Sequence, residues 1–219
     1  MPTQRDYETA RALALEELSK LGVDKCCMNA GVPVDLVSPG VRQVRISYLG
    51  HPYTLTVRDD TIAFDDASPP LKVPDQVLLL HYLITAKGVP VAEEWITFRE
   101  VPSGSFYYTA FVKRAIAPLQ KCFGERLALL GKVARVIGQV SPSPGDMALK
   151  IFALPRVPIV LCLWRGDEEF PTEANLYFDQ SISSYLSTED IAYLAGAVVY
   201  KVIGIGRQLL DKPQPLKTT

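Results

Sequence analysis

The run Ile159 to Trp164, IVLCLW, restricts the fold of this chain more than any other feature. Six apolar residues in succession leave no solvent face, and a run this short reads as a buried strand. It stops at Arg165-Gly166 and gives way to three consecutive carboxylates, Asp167, Glu168 and Glu169. Phe170-Pro171 then turns the chain, and a second apolar-acidic unit, Leu176-Tyr177-Phe178-Asp179, precedes the last helix. Upstream, Met147, Leu149, Ile151 and Ala153 alternate, and Pro155 to Pro158 join them to the apolar run as a hairpin.

A second hairpin is written in the first half. Val44-Ile46-Tyr48 and Tyr53-Leu55-Val57 alternate on either side of Leu49-Gly50-His51-Pro52, and Thr61 to Phe64 extends them toward a meander. Helical spacing fills much of the remainder. Residues 3–21 carry Tyr7, Ala10, Ala14, Leu18 and Leu21 on one face and stop at Gly22. A Gly- and Pro-containing loop is expected from Asp24 to Gly40. An apolar helix runs from Gln76 to Ala86, and Glu94 to Glu100 reads as a strand. Thr109 is placed to cap a helix through Phe111, Ala115, Leu119 and Cys122, and Leu127 to Ile137 forms another that ends at Gly138. Ser187 with Asp190 three residues on starts the final helix, striped by Ile191, Leu194, Ala195, Val198, Val199, Val202 and Ile203. Hairpins among helices predict an α+β fold. The expected organisation is a single domain over 1–211, with lobes 1–65 and 75–211, and a flexible polar tail over 212–219.

Charge and composition exclude some functions. A net charge of -1 among 219 residues gives no basic excess for nucleic acid. No apolar run approaches the ~18–20 residues that span a bilayer, and no signal peptide opens the chain, so a cytoplasmic protein is expected. Cys26, Cys27, Cys122 and Cys162 have no C-x-x-C spacing, which favours reduced, packed thiols; a redox or metal role for Cys26-Cys27 is the alternative. With only His51 and His81, a multi-histidine metal site is impossible. The P-loop, the dinucleotide glycine signature and the nucleophile elbow are all absent.

Two clusters remain. Asp167, Glu168, Glu169, Glu173 and Asp179 form an acidic group flanked by Trp164, Phe170, Tyr177 and Phe178. Such carboxylates serve as a solvated turn, as ligand or cation binders, or as acid and base. The flanking aromatics favour a partly desolvated rim, where charge is costly unless it is used. Phe98, Arg99, Tyr107, Tyr108, Phe111, Lys113 and Arg114 supply flat aromatic surface with cations beside it, suited either to a planar anionic ligand or to strand–helix packing.

The segments LHYL at 80–83, TFREVPSGSFYY at 97–108, FVKRAIAPL at 111–119 and LPRVPIVLCLWRGDEEFPTEANLYFDQSISSYLSTEDI at 154–191 resemble domain-of-unknown-function family 3786 over nearly the whole chain. That resemblance implies an accessory role in anaerobic bacteria and archaea, near iron–sulfur proteins and corrinoid-dependent one-carbon metabolism. It establishes no activity. The expectation is therefore a non-enzymatic carrier for a corrinoid (cobalamin) or related tetrapyrrole. Its ligand would lie between Tyr107, Tyr108 and Arg114 and the segment Trp164, Asp167, Glu168, Glu169, Phe170, Tyr177 and Asp179. His51 or His81 would offer an axial nitrogen. A corrinoid or iron–sulfur protein is the expected partner, with no nucleic acid and no membrane. The alternatives are a metal-dependent enzyme using Asp167, Glu168 and Glu169 with Asp179, and a protein-interaction adaptor.

Overall fold

Alternation and turn chemistry settle the first sheet. In the computed structural model, which describes residues 3–59, 61–67, 69–142 and 145–211, it has four antiparallel strands. These are β1 (Val34–Ser38), β2 (Val41–Tyr48), β3 (His51–Arg58) and β4 (Thr61–Phe64), paired in sequence order. Val44, Ile46, Leu55 and Val57 all face inward and are buried. The β2–β3 turn is two residues long, with Leu49 at φ 50° and Gly50 at φ 79°. Two left-handed residues twist a hairpin turn in the same sense as its strands. His51 and Pro52 therefore belong to β3, opposite Tyr48 and Ser47, and not to the turn.

The second sheet has the order β5-β9-β8-β7-β6, built from β5 (Trp95–Thr97), β6 (Gln139–Ser141), β7 (Met147–Leu154), β8 (Val157–Trp164) and β9 (Glu173–Asp179). The apolar run lies in β8, the central strand, where both faces are covered and residues 157–163 are all buried. The helices are α1 (Gln4–Leu21), α2 (Val23–Ala30), α3 (Val73–Thr85), α4 (Gly104–Phe111), α5 (Ala117–Phe123), α6 (Leu127–Ile137) and α7 (Thr188–Asp211). With two antiparallel sheets beside these helices, the chain is α+β. No helix among the described residues is long and apolar enough to cross a membrane.

The chain clusters into two units. The first comprises 1–96, 152–158 and 179–191, and the second comprises 97–151, 159–178 and 192–219. In the first, Tyr82 is a buried tie: its hydroxyl donates to Ala30 O at 2.5 Å and accepts from Arg156 N at 3.1 Å. In the second, Phe98, Phe111 and Phe178 form an aromatic core, with Phe98 stacked on Phe111 at 4.2 Å between ring centroids.

Several local expectations are corrected. The stretch expected as a loop from Asp24 to Gly40 holds α2 and β1. Gly22 at φ 88° and Gly31 at φ 67° bracket an eight-residue helix that buries Val23, Cys26, Cys27 and Ala30. The strand expected over 94–100 is only β5, because the Glu100 carboxylate accepts from Thr97 N and Oγ1, both at 2.8 Å, and closes a turn. The next helix starts at Gly104, five residues before Thr109, which lies inside it. A π-helical turn, Val112–Ile116, joins α4 to α5. Gly204-Ile205-Gly206 lies within α7. The tail over 212–219 and residues 143 and 144 lie outside the described residues.

Candidate functional site

In the first unit, α1 and α3 border an open groove of about 450 Å3. Ala10, Leu13, Ala14 and Ile84 give it apolar walls, Glu16, Glu17 and Lys20 a charged rim, and His81 also lines it. Helical spacing explains the lining on α1: Ala10, Leu13, Ala14 and Glu17 recur at three- and four-residue steps and share one side. On α3, Val77 to Leu80, Tyr82 and Leu83 are buried and His81 is half-buried.

The imidazole is held. His81 Nδ1 lies 3.0 and 3.1 Å from the two carboxylate oxygens of Asp190, whose side chain is only 15% exposed. Asp190 is itself fixed by the start of α7, where Ser187 Oγ donates to it at 2.7 Å and its backbone N–H donates back to Ser187 Oγ at 3.2 Å. The hydrogen bond to the Asp190 carboxylate raises the His81 pKa against the opposing effect of burial. In the neutral ring, Nδ1–H donates to Asp190 and Nε2 keeps the lone pair, the arrangement found in metal-ligating histidines with a carboxylate behind them.

The other expected site residues lie on several elements of the two units. His51, half-buried, opens β3 and does not line the groove. Tyr107 is exposed, whereas the Tyr108 ring is covered by the Arg99 guanidinium, 3.7 Å from its centroid, a cation–π contact within the fold. Arg114 and Lys113 are exposed on the π-helical turn. Trp164, half-buried, ends β8 opposite Glu173, and Tyr177 is half-buried in β9 opposite Val160. Asp167 Oδ1 accepts from the N–H groups of Glu169 at 2.9 Å and Phe170 at 2.8 Å. Those bonds lower its pKa and tie the carboxylate to its own turn. Glu168, Glu169 and Phe170 are exposed.

Asp179 is buried in the first unit and fully engaged. Its Oδ1 accepts from Ala92 N at 3.0 Å, Ser181 N at 3.0 Å and Ser181 Oγ at 2.5 Å, and its Oδ2 from Glu93 N at 2.7 Å. Burial pushes its pKa up, but the hydrogen bonds from Ser181, Ala92 and Glu93 outweigh it and leave the carboxyl below its usual range. Glu93 takes φ 59° beside it, a left-handed conformation that the two backbone donors help to hold. Among the described residues, no group of three or more His, Cys, Asp or Glu is placed to hold a metal ion.

All four cysteines are free thiols. Cys27 and Cys162 are pushed up to about 12, chiefly by burial.

Sequence reading pointed to His81 but not to Asp190 as its partner. It also passed over Arg165 and Gly166, which line a cavity of about 390 Å3 in the second unit with Arg126 and Thr172.

The fold and groove define an α+β protein that presents one carboxylate-supported histidine on an open helical surface. The chain belongs to the family described as domain of unknown function (DUF3786), whose profile matches residues 29–201. No curated protein and no solved structure matches it.

Proposed function

We propose that this chain is a ligand-binding accessory protein that seats a metal-bearing planar macrocycle, a corrinoid or related tetrapyrrole, against His81. The supporting observation is the imidazole at the groove with Nδ1 held by Asp190. A bare transition-metal ion needs three or four protein donors. A metallated tetrapyrrole brings its equatorial donors and asks the protein for a single axial nitrogen. The apolar wall of Ala10, Leu13, Ala14 and Ile84 suits the face of a macrocycle, and Lys20, ion-paired with Glu16 at 2.6 Å, lies on its rim. Bound, such a group supplies redox or ligand-transfer chemistry at its metal; the chain itself binds, orients and shields one face. Its place in the cytoplasm, in an anaerobic metabolism with a corrinoid or iron–sulfur partner, belongs to the same proposal.

Titration of the purified protein with cobalamin and with haem, followed by absorbance and melting temperature, tests it. A saturable spectral shift with a raised melting temperature is expected, because a ligand that binds only the folded state stabilises it. H81A should abolish the shift, and D190N should weaken binding about tenfold or more. No change with either ligand well above micromolar concentration would overturn the proposal.

A further inference from the structure

The second unit holds a cavity that the His81 site does not use. It lies where the short connection between α5 and α6 meets the loop after β8, and the joint is built by Thr172. Thr172 Oγ1 donates to Gly124 O at 3.2 Å and accepts from Gly166 N at 3.3 Å, while its carbonyl accepts from Gln120 Nε2. The two glycines permit the close approach. A Cβ on Gly166 would lie 2.6 Å from Thr172 N and 2.9 Å from Phe170 O, and one on Gly124 would lie 2.6 Å from Gln120 O. Gly166 thus packs on the backbone of its own loop, while Gly124 meets its own helix and, at 3.1 Å, the Thr172 Cγ2 methyl.

Two exposed arginines border this frame. Arg126 and Arg165 both line the cavity, and neither makes an ion pair or side-chain hydrogen bond among the described residues. The neighbouring acids form no ion pair with them: Asp167 Oδ1 accepts from the amides of its own turn, and Asp146 accepts from the Arg165 backbone N–H at 2.7 Å. Among the described residues, Glu125 is the one acid on the lining. Two planar cations on one cavity of about 390 Å3 favour an anion that bridges them, since each guanidinium presents a fork of donors matched to a carboxylate or phosphate.

We propose that this cavity binds a small oxyanion, a phosphate or carboxylate group, between Arg126 and Arg165. The site is independent of His81, and its Gly166 amide is already engaged by Thr172.

Calorimetric titration of the full chain with inorganic phosphate, and separately with succinate, at fixed ionic strength tests the proposal and separates the two sources of oxyanion. Saturable binding of at least one is expected. It should weaken about tenfold or more in both R126Q and R165Q, the scale of a lost charged hydrogen bond. R135Q, which removes an exposed arginine elsewhere on α6, should leave binding unchanged. Wild-type melting temperatures in the variants separate loss of binding from loss of fold. The proposal is overturned if neither anion gives saturable heat up to on the order of 10 mM, or if binding is equally strong in R126Q and R165Q.

Discussion

The pairing of His81 with Asp190 joins residues 109 positions apart and sets two opposite pH dependences. Because Asp190 raises the imidazole pKa in the folded chain, the pair contributes stability that is fully present below the unfolded value of about 6.5. That contribution is lost as pH rises through the folded pKa. H81A should therefore destabilise the protein more at pH 5.5 than at pH 8.5, as measured by urea denaturation. The macrocycle binding proposed above needs the unprotonated Nε2, so it should instead strengthen as pH rises through the same value. An NMR titration should find His81 above about 6.5 in the wild type and closer to it in D190N. Asp179 behaves in the other sense. Its lowered pKa gives stability that is present above the unfolded value of about 3.9 and lost as pH falls through the folded one. D179N keeps an oxygen for Ala92 and Ser181 but points an amide at the Glu93 N–H, or the reverse if the side chain flips. A loss of about 2–4 kcal/mol is expected from denaturation curves.

At the scale of elements, sequence pattern located most helices and strands but not all of their ends. The β2–β3 hairpin, α1, α3, α6 and the buried stripe of α7 follow directly from periodicity and caps. Short α2 did not, because glycines at both ends look like a loop when the burial of Cys26 and Cys27 is unknown. Thr109 had the right chemistry for a cap, yet the helix starts at Gly104, where backbone packing requires glycine. A Cβ there would sit 1.9 Å from Phe98 O. G104A should cost about 3 kcal/mol or more in denaturant unfolding, because a backbone carbonyl cannot move aside as a side chain can. G204A is the counterpart: it is exposed in α7 with nothing within 4 Å of the added carbon, and it should stabilise by about 0.5–1 kcal/mol.

Over the whole molecule, buried thiols offer a probe of each unit. Cys27 in the first and Cys162 in the second are fully buried and held near 12 by desolvation, while Cys122 is half-buried. Alkylation at pH 8 followed by mass spectrometry should modify Cys122 first, with Cys27 and Cys162 reacting only as their unit opens. Equal rates at all three in native buffer would contradict this packing. The candidate site shows where sequence reading stops. The acids after Trp164 were conspicuous, but composition does not show what a carboxylate already bonds, and Asp167 and Asp179 are engaged by amides of their own unit. By itself the sequence determined the α+β class, the hairpins, the buried strand and the cap at Ser187, because each depends on residues within a turn or two of one another. Tertiary structure alone decided that Asp190 meets His81 and that Arg126 shares a cavity with Arg165. Contacts between residues distant along the chain follow from how faces pack, and local pattern carries no record of the partner.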